Sequence, residues 1–311
     1  MLPSATIVIP VHNEERCIGA AIESALTGQT LADVLVVDDH SDDRTVEIAN
    51  RYDRVTVVTC IGHGIVDVNN TALSSASGEV VIHLDADDRL LPGAVQSLLE
   101  AFADPDVVIA SGSTITDDGS RVIDSKLAFP THQHLSIAAA AMNPFSHSGV
   151  ALRRESVLAI GGYTAYGDVS WGEDYDLWLR ILGSGAKAAG VEALVASKTL
   201  RAEGISGRHH HVMQQRSRRA RQVYRAGLAL PTCSELVALG RELQTAERRS
   251  DLQQRWSVTL AILARQLRGD GRLREALEVG AAAVRLGPAR LARGSIDHRA
   301  RMRRRRRVRS S

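Results

Sequence analysis

The chain is poor in several features that other protein classes require. It has no run of eighteen apolar residues, which argues against a membrane-spanning helix, and its opening, MLPSATIVIPVHNEE, lacks the basic stretch of a secretory signal. Only three cysteines occur, Cys17, Cys60 and Cys233. They are too few and too widely spaced for a disulfide framework or a zinc knuckle, so a reducing, cytoplasmic setting is expected. The turn after the first apolar run, Pro10 to Glu15, contains no glycine, which excludes a glycine-rich phosphate loop there. Aromatic residues amount to 4% and do not interleave with the arginine-rich stretches, so a nucleic-acid partner is not expected.

With 311 residues, 44% hydrophobic and 24% charged, the composition is that of a globular protein with room for two domains. The formal net charge of +2 conceals a split: residues 1–205 hold 13 Lys and Arg against 28 Asp and Glu, whereas residues 206–311 hold 25 against 8. An acidic half suits a metal and a metal-bound ligand. A basic half suits an anionic partner, such as a membrane surface or an acidic region of another protein.

Short apolar, β-branched runs at Ala5 to Pro10, Val34 to Asp38, Val55 to Thr59 and Val80 to Leu84 alternate with helical patterns at Glu15 to Leu26, Arg44 to Tyr52, Val66 to Ser75 and Gly93 to Phe102. This alternation predicts an α/β fold, a doubly wound, mostly parallel sheet with helices on both faces. In such sheets ligands bind beyond the carboxyl ends of the strands, and those ends read PVHNE, DDHSDD and DADD. Three acid-rich strand ends in phase predict a site. From Ser206 onward the strand signal gives way to helical spacing, and RQLRGDGRLREALEVGAAAVRLGP has the spacing of one tetratricopeptide-like unit. The expected division is an α/β domain over 1–205, an all-helical region over 206–288, and a basic, disordered tail over 289–311.

The densest cluster is Asp85, Asp87 and Asp88, directly after an apolar strand. Crowded carboxylates repel unless a cation sits among them, and a hard divalent ion, Mn²⁺ or Mg²⁺, suits both carboxylates and a diphosphate. An acidic capping turn would read the same way in isolation. Glu173 and Asp174 open a helical segment, where acids also serve the helix dipole.

The segments IVIPVHNEE, VVDDHSDDRT, NNTALSSASGEVVIHLDADD, NPFSHSGVALRRESVLAIGGY and WGEDYDLWLRILGSGAK resemble, in order and spacing, family 2 inverting glycosyltransferases with the GT-A fold, from about Thr6 to Ser206. The resemblance implies Pro10, His12 and Glu14 around a nucleotide, Asp39 on its base with Asp38 beside it, Asn70 on the donor side, and Asp85 at the ribose. It further implies Asp87 on the metal and Asp174, with Glu173 beside it, as the base that takes the acceptor proton. A carboxylate can accept the N3 hydrogen of uracil, which favours a UDP-sugar. Trp171 is a candidate sugar or acceptor contact, Tyr175 and Trp178 share a helix face, and His147 is either a ligand contact or a buried hydrogen-bonded residue.

Two departures stand out. Where relatives carry a basic residue before the asparagine, this chain has Asn69, so another cation must meet the diphosphate or donor binding is weaker. Glu203 stands where an Arg-x-His run is common, with His209 to His211 following shortly after. The expectation is a cytoplasmic, metal-dependent transferase, peripheral at the inner face of a membrane through its basic tail. Its acceptor would be a glycan, a lipid-linked glycan, a peptide or a small molecule. The alternative is a degenerate, non-catalytic scaffold that binds partners through its helical repeat and tail.

Overall fold

The computed structural model describes residues 1–27, 31–117, 122–126, 128–164, 172–199, 232–245 and 250–286, with the isolated positions 217, 220 and 221. The chain divides into two compact units, one of residues 1–139 with 143–229, the other of 140–142 with 230–311.

The first unit is built on a mixed sheet. Its strands are β1 (Ala5–Val11), β2 (Ala32–Asp38), β3 (Val55–Thr59), β4 (Val80–His83), β5 (Arg89–Leu90), β6 (Val107–Asp117), β7 (Val122–Lys126), β8 (Val150–Arg153) and β9 (Lys187–Thr199). Their order is β3-β2-β1-β4-β8-β6-β9-β5, with β7 on β6. The β3-β2-β1-β4 half is parallel throughout. Beyond it β8 runs antiparallel to both β4 and β6, while β9 runs parallel to β6. Hence β9 points the same way as β4 and ends at the same edge of the sheet. Strand order reverses between β2, β1 and β4, which opens the crevice at their carboxyl ends.

Burial follows this topology. β1 is buried on both faces from Ala5 to Ile9, as a strand covered by helices on each side must be. Helix α1 (Ile18–Leu26) buries Ile18, Ala21, Ile22 and Ala25, one face of a 3.6-residue period. It begins three residues later than its apolar pattern, because Glu15 to Cys17 form a turn tied to the loop after β2. Further α-helices among the described residues of this unit are α2 (Thr45–Ala49), α3 (Ile65–Ser75), α4 (Ala94–Glu100), α5 (His132–Ala139), α6 (Arg154–Ala159) and α7 (Glu173–Gly183).

The described part of the second unit is helical: α8 (Cys233–Thr245), α9 (Ser250–Gly269) and α10 (Leu273–Leu286). Trp256, Leu260, Leu263, Ala264 and Leu267 form the buried stripe of α9, and Ala276, Val279, Ala282, Ala283 and Leu286 that of α10. The turn between them closes with Arg272 N–H on Leu267 O at 2.9 Å and Gly271 N–H on Arg268 O at 3.1 Å, around Gly271 at φ +78°. That double bond about a left-handed residue is a glycine helix stop. No helix among the described residues is long and apolar enough to cross a membrane.

Candidate active site

The loops after β1 and β2 interlock. Asn13 and His40 take left-handed backbone, φ +54° and +59°, an uncommon conformation for non-glycine residues. It is held by Asn13 N–H on Ser41 Oγ at 2.9 Å and Asp42 N–H on Asn13 Oδ1 at 2.8 Å. His12 Nδ1 lies 2.7 Å from the Asp39 carbonyl, and Glu14 N–H donates to Thr45 Oγ1 at 2.8 Å. Pro10 sits in β1 opposite Val37.

Asp38 is buried, and both its oxygens lie 3.2 Å from the Ser41 amide. Asp39 Oδ2 accepts Gly64 N–H at 2.8 Å, while Oδ1 is buried without a hydrogen-bond partner. His63 Nδ1 is 3.9 Å from that oxygen, and the His40 and His63 rings lie 4.3 Å apart.

At the end of β4 the three aspartates separate by environment. Asp88 is buried, accepts the Ser148 hydroxyl at 2.6 Å and the Thr199 amide at 2.8 Å, and is raised to about 7 by burial and then by Asp85. It ties the turn to the strand entering from β8 and to the end of β9. Asp85 Oδ1 stands 3.2 Å from His83 Nε2 and 3.4 Å from His147 Nδ1. Burial opposes its ionisation, yet the two imidazoles hold it well below the usual carboxylate range. Burial, then His147, drives His83 down to about 4, while Asp85 lifts His147 against its own burial. The two rings stack at 3.5 Å, and His147 Nε2 reaches the Tyr163 hydroxyl at 3.2 Å. Asp87 is half-buried on the same turn.

The second pair of acids opens α7. Gly172, at φ +100°, turns the chain into the helix, and its N–H donates to Glu173 Oε2 at 2.8 Å. Glu173 is raised to about 7 by burial and then by Asp174. Asp174 accepts Asn143 Nδ2–H at 2.8 Å and the Tyr175 amide at 2.6 Å. In the same first turn, buried Asp176 pairs with Arg180 at 2.8 Å and accepts the Thr164 hydroxyl at 2.8 Å. Arg180 also donates to the carbonyls of Ile160 and Gly162. Gly162 (φ +63°) admits no side chain, since a Cβ there would stand 2.5 Å from Asn70 Oδ1.

Several residues singled out in the sequence serve packing. Asn70 spends both ends of its amide on the Tyr163 backbone, at 2.8 and 2.9 Å, so it ties α3 to the turn before α7. Trp178 and Tyr175 are fully buried, Trp178 edge-on to Phe145 and Tyr163, so neither offers a face to a sugar. Trp171, Glu203 and His209 to His211 lie outside the described residues.

Four residues went unread in the sequence: Asn143 on Asp174, Ser148 on Asp88, His83 beneath Asp85, and Lys198 near the end of β9. Lys198 lies among the carboxylates of Asp85, Asp88, Asp174 and Asp87, which outweigh burial and raise its ammonium. Two clusters bring three ligand atoms within 4.8 Å among the described residues: Asp39, His40 and His63, and His83, Asp85 and His147.

A GT-A-like sheet whose crevice gathers strand-end acids and a helix-borne acid pair defines a glycosyltransferase architecture. Residues 6–161 match the glycosyl transferase family 2 profile, and the chain belongs to that family. It is 27% identical over 261 residues to the succinoglycan biosynthesis protein ExoU of Rhizobium meliloti, covering 78% of this chain and 75% of that protein. Residues 1–349 of S. aureus TarS, solved with UDP-GlcNAc, superpose with a TM-score of 0.60 at 16% identity, over 91% of this chain and 89% of that one. The mannosyltransferase PcManGT of Pyrobaculum calidifontis, solved with GDP-Man and Mn²⁺, gives 0.56 at 20% identity, over 93% and 88%. The protein is therefore a glycosyltransferase.

Proposed function

We propose that the protein transfers a sugar, with inversion, from a nucleoside diphosphate, UDP favoured, to an acceptor hydroxyl or similar nucleophile. The observation that carries this reading is the union of two acid groups in one crevice. Asp85 and Asp87 follow β4, Glu173 and Asp174 open α7, and His147 is coupled to Asp85, Asp174 and Glu173 together. A donor laid along the strand ends would bring its base to Asp39, whose Oδ1 lacks a partner, and its diphosphate to the DADD turn.

The donor set fits a hard cation. Asp88 has committed both oxygens to Ser148 and Thr199, and the cation is assigned to the carboxylate of Asp87 on the same turn. Mn²⁺ or Mg²⁺ bound there would supply Lewis acidity toward the diphosphate. The PcManGT complex, with Mn²⁺ and GDP-Man, supports this assignment. The TarS complex supports a nucleotide-sugar donor.

Asp174 takes the acceptor proton. Its two oxygens are fixed by Asn143 and the Tyr175 amide, with lone pairs remaining for the incoming hydroxyl. The acceptor oxygen bonds to the anomeric carbon, the bond to the β-phosphate oxygen breaks, and its electron pair leaves with the nucleoside diphosphate. An inverting transfer needs one such base on the face opposite the leaving group. The helices of the second unit, with their tetratricopeptide-like hairpin, and the basic tail are assigned to acceptor or membrane-surface recognition at the cytoplasmic face.

Asp174→Asn tests the reading. Turnover should fall at least a hundredfold while donor affinity stays within about threefold, because the base acts on the acceptor. Collapse of donor affinity, or turnover at the wild-type level, would remove Asp174 from this role.

A further inference from the structure

The crevice is rich in negative charge, yet its proposed ligand is an anion. Asp85 and Asp87 follow β4 and Asp174 opens α7, and α3, where relatives carry a basic residue, presents buried Asn69 instead. A diphosphate in such a field needs a fixed cation beyond any bound metal.

The end of β9 supplies one. β9 runs with β4 and reaches the same edge of the sheet, and it is pinned to the DADD turn at two points. Thr199 N–H donates to Asp88 Oδ1 at 2.8 Å, and β5, the continuation of the turn, pairs Arg89 with Ser197 and Leu90 with Ala196. Lys198 stands between these anchors. Lys187, at the other end of the strand, is neutralised by Asp104 and Asp106 at 3.1 and 2.9 Å. Lys198 makes no ion pair or hydrogen bond with any described residue, although the charges of Asp85, Asp88, Asp174 and Asp87 reach it. A half-buried ammonium beside the DADD turn, unpaired among the described residues, is placed to meet an anion bound at that turn.

We propose that Lys198 binds the β-phosphate of the donor and carries its charge as the nucleoside diphosphate leaves, the role for which α3 offers only Asn69. This rests on the reading of the crevice as a donor site. When the bond from the anomeric carbon breaks, its electron pair remains on the β-phosphate oxygen. Lys198 donates a hydrogen bond to that oxygen and keeps its proton, and the acceptor proton goes to Asp174. An ammonium, compact and with three donors, suits a phosphate whose charge grows along the reaction. Its neighbours Thr199 and Ser197 are both fastened to the DADD turn or to the strand that continues it, which sets Lys198 beside the proposed diphosphate site.

The test compares UDP with UMP, and GDP with GMP, by calorimetric titration with Mn²⁺ into wild type, Lys198→Met and Lys198→Arg. Whichever nucleotide pair the wild type binds, Lys198→Met should lose at least tenfold in affinity for the diphosphate and less than threefold for the monophosphate. Lys198→Arg should recover most of that loss. Monophosphate binding within threefold of wild type shows that the variant is folded, and Lys198→Arg keeps the charge among the acids if the methionine variant is not. Equal diphosphate affinity in wild type and Lys198→Met, or in Lys198→Arg an equal loss for both nucleotides, would overturn the assignment. A wild type that binds none of the four would overturn the donor-site reading itself.

Discussion

At the residue scale, environment decides which acids do chemistry. The DADD turn presents three aspartates that look equivalent in sequence, but Asp88 is consumed by Ser148 and Thr199, partners 60 and 111 residues away. Glu173, beside Asp174, holds its proton up to about 7 because it is buried against that second carboxylate. As pH rises through 7 a second carboxylate charge appears at the start of α7, and a doubly charged acid pair takes up the acceptor proton more readily. We expect kcat/KM to climb across pH 7 and Glu173→Gln to flatten that limb at its low-pH level. A profile unchanged by the substitution would separate Glu173 from catalysis. The sign for stability is opposite. The native state binds this proton between about 4.5 and 7 and the unfolded chain does not, so Glu173 costs stability as pH rises through that window.

Residue identity was legible where acids cluster locally and illegible where a partner arrives from a distant strand. Asp85, Asp87 and Asp174 stand out in motifs. Lys198 does not, although it is one of only three lysines in an arginine-rich chain, because nothing within ten residues of it hints at the DADD turn. Asn70 shows the same reach over distance: its amide bonds the Tyr163 backbone, 93 residues away, at both ends.

At the scale of elements, α7 matters because its first turn carries the acid pair and an ion pair from that turn to Arg180 in its last fixes the helix in place. Asp176 and Arg180 form a buried pair one turn apart, and Arg180 grips the carbonyls of Ile160 and Gly162. Through Asn70 the same turn is fastened to α3. Asp176→Ala would leave a buried guanidinium unpaired and should cost about 3–5 kcal/mol, read as a lower urea midpoint at unchanged slope. Arg180→Lys should recover part of the pair but not both carbonyl contacts, and so should reduce turnover through a displaced Asp174. Wild-type stability in Asp176→Ala would show that the pair does not anchor α7. The strand and helix positions of the first hundred residues were readable from periodicity. The antiparallel course of β8 was not, because a short apolar run carries no direction.

At the scale of the whole molecule, the acid-rich half of the sequence coincides with a sheet whose proposed ligand is an anion, and the described elements of the arginine-rich half are the helices α8 to α10. For that anion to bind, cations must convert the acidic crevice into a diphosphate site. The measurement that tests this most directly is calorimetric titration of UDP, GDP and dTDP into the purified protein, with and without Mn²⁺, repeated on Asp87→Asn. We predict that one nucleotide binds, that the metal tightens it at least tenfold, and that the substitution abolishes the metal's contribution without unfolding the chain. No binding by any of the three, or metal dependence that survives in Asp87→Asn, would contradict the account.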